Sequence, residues 1–348
     1  MVRVGIIGAS GYAGAELVRY LLGHPGAQVA YLASETYAGR PLSDAFPSIL
    51  GQDLPDCESY DAEIAADRCD IVFQAQGNGV GMKLAPELLE FGKKLIDIPA
   101  DFRLKDLAEY KQYYGADHTA PDLAAEAVYG IPELRAAEIA KARLIANSGC
   151  YATSAILALA PLVGLSLAEA NSIVIDSKSG VSGAGRSKLD VSGLFCETNE
   201  GFRAYAVGSH RHTPEIEQEL SWLAGEKVTI SFTPHMVPMN RGILTTAYAR
   251  VDASVGSTAD LVAVYREFYS GKPFVVVLDE GRQPGTKNVF GTNFCHIGAV
   301  LDKRAGRAIV TCAIDNMGKG AAGQAVQNMN LMCGFEETTG LMSSAVYP

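Results

Sequence analysis

Apolar residues fall along this chain in two textures. Through residue 98, short apolar runs alternate with helical patterns. Val2 to Ile7 leads into a glycine-rich turn, a helical stretch from Ala15 to Leu22 and a second apolar run from Val29 to Ala33. Asp70 to Ala75, Lys83 to Phe91 and Lys94 to Ile98 continue the series as strand, helix and strand. Continuous apolar strands separated by helices predict a parallel sheet covered by helices. Ala100 to Pro132, with its Tyr, Gly, His and Pro, reads as loop, and Leu144 to Ala146 as a last short strand.

After a long apolar helical segment from Ala152 to Leu165 the texture changes. Ser172 to Asp176, Lys227 to Thr233, Gly242 to Val251, Phe274 to Leu278, His296 to Leu301 and Arg307 to Ala313 alternate or are β-branched. That pattern predicts a mostly antiparallel sheet. Helices are expected at Pro214 to Leu223, Ala259 to Tyr269 and Gly320 to Cys333. Two textures in 348 residues predict two domains.

Composition narrows the class. With 48% hydrophobic and 20% charged residues the chain is expected to fold as a soluble globule. A net charge of -10 argues against a nucleic-acid partner. No apolar run approaches the ~20 residues of a membrane helix. The first residues enter a strand with no signal-peptide layout, so a cytoplasmic location is expected. Seven scattered cysteines without a C-x-x-C pair argue for reduced thiols and against a zinc or other metal site.

Chemistry enters at three places. The turn holding Gly8, Ser10, Gly11, Tyr12, Ala13 and Gly14 lies between a strand and a helix, where glycine allows a tight turn and the helix start donates to a pyrophosphate. Its spacing is G-x-x-G-x-x-G, a departure from the commoner G-x-G-x-x-G. The second strand ends at Ser34, with Thr36 and Arg40 nearby, a set suited to a 2'-phosphate and hence to NADP. Glu35, if turned inward, would instead suit the ribose hydroxyl of NAD.

Cys150 follows the short polar turn Asn147, Ser148, Gly149 at the head of the long apolar helix. The positive end of a helix favours thiolate over thiol. A thiolate beside a nicotinamide suggests attack on an acyl or aldehyde carbon coupled to hydride transfer. His210 and His212, just before a helix opening at Thr213 and Pro214, supply the acid/base candidates, and Glu215 is placed to orient His212. For an anionic leaving group, the small-residue loop from Ser179 to Arg186 reads as a nest of backbone N–H groups closed by a guanidinium, with Arg103 and Arg241 as further candidates. Arg103, Arg186 and Glu215 are thus the expected substrate-side residues.

Taken together these segments resemble the N-acetyl-gamma-glutamyl-phosphate reductase family of arginine biosynthesis. The likeness is carried by GASGYAGAEL at 8–17, ADFRL at 100–104, YYG at 113–115, AVYGIPE at 127–133, the cysteine turn, SGVSGAGR at 179–186, HRHTPEIEQEL at 210–220, FTPHMVPMNRGIL at 232–244 and IDNMGKGAAGQAVQNMN at 314–330. The resemblance implies an α/β Rossmann-like domain over 1–148, completed by the C-terminal segment 316–348. It implies an α+β glyceraldehyde-3-phosphate-dehydrogenase-like catalytic domain over 149–315, pairing into a homo-oligomer, dimer or tetramer. It also implies NADPH-dependent reduction of a small acyl phosphate, with Cys150 as nucleophile, the His210/His212 pair as acid/base and Asn316 holding the nicotinamide amide.

Two positions depart from the family pattern. Ser148 stands where the family has Pro, which frees an N–H and is expected to loosen the turn, and Asn78 stands where the family has His. Two other readings stay open at this level. A sister reductase acting on a carrier-bound aminoadipyl or glutamyl phosphate in lysine synthesis tends to lack both the SGVSGAGR loop and the aromatic residue that is Tyr151 here. A non-catalytic NADP-binding redox sensor would need neither the histidine pair nor the arginine-bearing loop.

Overall fold

Strands such as Ile71–Gln74 and Leu144–Asn147 are buried at every position, as a sheet covered on both faces requires. In the computed structural model, which describes residues 1–186 and 191–347, the chain divides into two units. The first holds residues 1–149, 185–186 and 321–343. Its strands are β1 (Val2–Ile7), β2 (Ala27–Ala33), β3 (Cys57–Glu58), β4 (Ile71–Gln74), β5 (Lys94–Asp97), β6 (Val128–Gly130) and β7 (Leu144–Asn147). Among the described residues they form one parallel sheet in the order β3-β2-β1-β4-β5-β7-β6. The chain runs outward from β1 in one direction, then returns to start again at β4. The crevice at the carboxyl ends of β1 and β4 is therefore the topological switch point, where open α/β sheets bind ligands.

The helices of this unit are α1 (Tyr12–Leu22), α2 (Ala62–Arg68), α3 (Gly81–Glu90), α4 (Leu107–Tyr114), α5 (Pro121–Glu126) and α6 (Pro132–Ile139). Ile7, Tyr31, Val72, Leu88, Phe102 and Tyr110 belong to one buried cluster. The stretch read as loop over 100–132 thus contains α4, α5 and the edge strand β6. The Asp106 carboxylate caps α4 by accepting from Ala108 N–H at 2.8 Å, buried Tyr110 anchors the helix, and Gly115 ends it at φ +74°.

The second unit runs from Cys150 to Ala184 and onward to Gly320. Its helices are α7 (Cys150–Gly164), α8 (Phe195–Thr198), α9 (Thr213–Ala224) and α10 (Thr258–Phe268). Its strands are β8 (Ile173–Ser179), β9 (Arg203–Ala204), β10 (Ile230–Met236), β11 (Ile243–Arg250), β12 (Val275–Val277), β13 (Cys295–Asp302) and β14 (Arg307–Ile314). The sheet order is β12-β13-β14-β11-β8-β10-β9. Long antiparallel ladders join β11 to β14 and β8, and β13 to β14, while β8/β10 and β12/β13 are parallel. The sheet is mixed because β10 lies parallel to β8 and β12 parallel to β13.

Helix α7 is the axis of this unit. Every residue from Tyr151 to Val163 is buried, which is why its sequence is apolar all round and has no polar stripe. It packs on α9, β11 and β14. A chain of buried hydroxyls crosses the packing: Ser154 Oγ meets Thr245 Oγ1 at 2.6 Å, and Thr245 Oγ1 meets Ser177 Oγ at 2.7 Å.

A final helix, α11 (Gly323–Cys333), belongs to the first unit and packs against α1, α6 and β7. The C-terminal segment counted with the first unit is 321–343, shorter than the expected 316–348. Residues 315–318 are tied elsewhere: Asp315 accepts from Met317 and Gly318 N–H, and Asn316 bonds to Gly242 and Ser182. No helix among the described residues is long and apolar enough to cross a membrane.

Candidate active site

In the first unit the glycine loop turns between β1 and α1. Gly8 lies at φ +89°, and a Cβ there would stand 2.9 Å from the Ala75 carbonyl at the end of β4. Gly14 is needed for closeness: its Cβ would lie 2.4 Å from Gly8 O. These glycines bring the start of α1 against the tip of β1 and leave a cradle that any side chain would fill. Gly11, the residue before α1, offers no side-chain cap, and the first turn holds no acidic residue. The leading N–H groups of α1 and its dipole thus suit the pyrophosphate of a dinucleotide.

The end of β2 carries the polar residues expected there, arranged differently from the expectation. Ser34 is buried, and its Oγ shares a 2.7 Å hydrogen bond with Ser10 Oγ of the glycine loop. Glu35 does not compete for this spot, because its Oε1 accepts from Tyr60 N–H at 3.1 Å. Arg40 is committed to Asp44: Nε and Nη2 reach Asp44 Oδ2 at 2.8 and 2.7 Å. Arg186 instead stands over the loop, with Nη1 donating to Ser10 O at 2.9 Å and its guanidinium 4.7 Å from the Phe46 ring centroid.

In the second unit Cys150 is the first residue of α7 and is half-buried. Its neighbour Tyr151 is buried and donates through Oη to His235 O at 3.2 Å. Tyr205 Oη donates to Tyr151 Oη at 3.1 Å. Around His210 the rings of Tyr151, Tyr205, Phe232 and His212 stand edge-on, with centroids 5.4, 5.6, 5.4 and 4.9 Å away. Tyr151 also meets His212 edge-on at 6.0 Å. The residue next to Cys150, Tyr151, thus packs on the histidine pair that precedes α9.

The electrostatics of this box differ between its members. Burial, then the nearby charges of His212 and Arg211, push His210 down to about 3, against an opposing pull from Glu215. His210 Nδ1 accepts from His212 N–H at 3.1 Å, so in the neutral ring the proton sits on Nε2. Burial raises both tyrosines, Tyr205 to about 12, and the charge of Cys150 adds to the rise in each. Tyr205 is the residue that sequence reasoning passed over. Its only signal was an aromatic side chain five positions before His210.

Cys150 has a tight wall. The chain leaves β14 through a π-type turn, Gly318–Ala322, in which Gly320 N–H donates to Asp315 O at 2.9 Å. A Cβ on Gly320 would lie 2.8 Å from Cys150 Cβ and 3.3 Å from its Cα. Only a glycine fits beside the thiol-bearing residue here.

The expected anion nest is not formed as read. Gly180, Val181 and Ser182 donate their N–H groups to Gly242 O, Met239 O and Asn240 O, because the loop continues the β8/β11 ladder. Arg186, at the loop's end, is counted with the first unit. Arg241 is paired with fully buried Asp315 at 2.9 Å. Arg103 is buried and donates to Asn147 O at 2.8 Å and Ile98 O at 2.6 Å, which braces the strand end leading to Cys150. Glu215 is fully buried in α9. Asn316 has both ends of its amide in use, accepting from Gly242 N–H at 2.7 Å and donating to Ser182 Oγ at 2.9 Å.

The two departures from the family pattern are absorbed locally. Ser148 does not loosen its turn: it is buried, and its Oγ shares a 2.7 Å hydrogen bond with Tyr129 Oη. Asn78 Oδ1 accepts from Ala100 N–H at 3.1 Å, a contact that fixes one loop to another. Among the described residues no group of three or more His, Cys, Asp or Glu side chains is arranged to hold a metal ion.

Residues 3–142 match the family described as "Semialdehyde dehydrogenase, NAD binding domain", and residues 150–316 match "Semialdehyde dehydrogenase, dimerisation domain". Among curated proteins, the chain is 54% identical to the N-acetyl-gamma-glutamyl-phosphate reductase of Citrifermentans bemidjiense, over the whole of both chains. It is 51% identical to that of Geobacter sulfurreducens, again over the whole of both. Among solved structures it is similar to aspartate semialdehyde dehydrogenase II of Vibrio cholerae, with a TM-score of 0.74 at 16% identity over 96% of this chain and 98% of the other. The NADP complex of the Candida albicans aspartate semialdehyde dehydrogenase gives a TM-score of 0.71 at 17% identity, over 96% of this chain and 98% of that one. At such identities these structures bear on the fold alone.

Proposed function

The chain belongs to the N-acetyl-gamma-glutamyl-phosphate reductases, and from that membership we propose that Cys150, His210 and His212 carry the reduction of N-acetyl-gamma-glutamyl phosphate to N-acetyl-L-glutamate 5-semialdehyde, with release of phosphate, in arginine biosynthesis. The observation that carries the assignment is a half-buried cysteine at the start of α7 whose neighbour, Tyr151, packs on both histidines. The helix start stabilises negative charge on the sulfur. The thiolate attacks the acyl carbon, the bond from carbon to the phosphate oxygen breaks, and a thioester forms on Cys150.

NADPH, held by the glycine loop and the Ser10/Ser34 pair, supplies the hydride when bound. His210 stays neutral and offers Nε2–H as a donor to the acyl oxygen, a role that needs no proton exchange. His212 takes the thiol proton and passes it to the departing phosphate; the oxyanion left once hydride has been added to the thioester then collapses to the aldehyde and releases the Cys150 thiolate. Glu215, fully buried in α9, acts on the charge of His210. The same reading has the protein working in the cytoplasm as a homo-oligomer, dimer or tetramer, built on the segment that matches the dimerisation domain.

The reverse reaction tests it. With N-acetylglutamate semialdehyde and inorganic phosphate, the purified protein reduces NADP+, followed at 340 nm. Reduction that proceeds as fast without phosphate contradicts acyl-phosphate chemistry.

A further inference from the structure

The other arginines of the first unit are neutralised. Arg3, Arg19, Arg40, Arg68, Arg135 and Arg143 each have a carboxylate partner, and Arg103 is buried on backbone carbonyls. Arg186 differs. It is half-buried, it donates to Ser10 O at 2.9 Å, and its remaining contacts are the Phe46 ring, the Tyr37 ring and hydroxyl, and the Ala45 carbonyl. Among the described residues no carboxylate pairs with it. A guanidinium presents five donors in a plane; here one is held at 2.9 Å by Ser10 O and two reach Tyr37 Oη and Ala45 O only at 3.5 Å, beside the Ser10/Ser34 hydroxyl pair.

We propose that Arg186, with the Ser10 and Ser34 hydroxyls, receives the 2'-phosphate of NADP and sets the preference for NADP over NAD. The end of β2 is where a dinucleotide fold meets the adenosine ribose, with an acidic residue for a 2'-hydroxyl or an arginine for a 2'-phosphate. Here the acidic residue nearest that point, Glu35, is turned onto Tyr60 N–H. The sequence-proximal arginine, Arg40, is spent on Asp44. The cation comes instead from a distant stretch of chain, its guanidinium 4.7 Å from the Phe46 ring centroid, 5.9 Å from the Tyr37 ring centroid and bonded to the Ser10 carbonyl, contacts that hold the fork before any ligand arrives.

This rests on the dinucleotide role of the glycine loop proposed above, and the test separates the two. Dissociation constants for NADPH, NADH and 2',5'-ADP are measured by titration calorimetry on the wild type, Arg186→Ala, Arg186→Lys and Arg40→Ala. The wild type is expected to bind NADPH more tightly than NADH. Arg186→Ala loses about 10- to 100-fold in affinity for NADPH and 2',5'-ADP, the scale of a charge-assisted hydrogen bond to phosphate. NADH affinity stays within about twofold, which also reports an intact fold. Arg186→Lys recovers part of the loss, because the charge returns without the fork, and Arg40→Ala changes NADPH binding by less than about threefold. If Arg186→Ala keeps the wild-type ratio of NADPH to NADH affinity, or if Arg40→Ala alone abolishes it, the inference is overturned. A wild type that binds neither dinucleotide overturns the cofactor role itself.

Discussion

Gly320→Ala is the most direct probe of how the thiol is held. The added methyl would sit 2.8 Å from Cys150 Cβ and 3.3 Å from its Cα, where ordinary contact begins at 3.4 Å. The first of these must open by at least about 0.6 Å, and neither partner is a flexible side-chain end that could swing aside. Overpacking of this kind costs about 1–3 kcal/mol in stability. Its larger effect is on chemistry, since misplacing a reacting atom by about 1 Å can cost on the order of 100-fold. We expect kcat to fall about 10- to 100-fold while NADPH affinity, set in the other unit, stays within about twofold. Steady-state kinetics, calorimetry and the rate of Cys150 alkylation by iodoacetamide read the three consequences separately. Gly23→Ala is the control, because its Cβ would meet nothing nearer than 3.7 Å. Wild-type kcat together with wild-type alkylation in Gly320→Ala would refute the steric argument.

Other outcomes follow from the same box. Cys150→Ser is expected to lower turnover by more than about 1000-fold with NADPH binding intact; a variant keeping a tenth of the rate would exclude the thioester route. For the histidines, the acid limb of the kcat/KM profile should persist in His210→Asn and vanish in His212→Asn, since His210 is held at about 3, below the working range. His210 also links stability to pH. Its folded value lies below the unfolded imidazole's, so the contribution is complete above about 6.5 and is lost as pH falls toward about 3. Thermal melts of His210→Asn across that window should therefore be flatter than those of the wild type, and parallel curves would contradict the assignment. Tyr205→Phe removes the donor to Tyr151 Oη and should cost about 1 kcal/mol in urea unfolding, with a few-fold fall in kcat.

Much of this was visible in the chain itself, and the omissions have physical causes. β1, β4, β11 and β14 announce themselves because burial on both faces or on one leaves a continuous or alternating apolar pattern. Edge strand β6 has only three residues, too few to carry any period, and α4 has a single buried residue on an otherwise polar helix. The start of α7 was legible at Cys150 because a long apolar run follows a short polar turn. The small residues of 179–184 look like an anion nest in sequence, yet their N–H groups are donated to 239–242, a pairing between segments some 60 positions apart. Likewise the 149 positions between Arg186 and Tyr37 hide their contact from any local pattern.

The hydroxyl chain from Ser154 through Thr245 to Ser177 bears on how this enzyme could be changed. Apolar contact is nearly indifferent to sliding. A helix as uniformly apolar as α7 could move along or about its axis at little cost, carrying Cys150 with it. Directional bonds between three buried hydroxyls act as an index pin, fixing where the helix stops. Replacing the trio with Ala, Val and Ala would leave the core apolar and could raise its melting temperature. The helix would then keep fewer directional anchors, and a sturdier protein with a less sharply placed nucleophile is the outcome to expect.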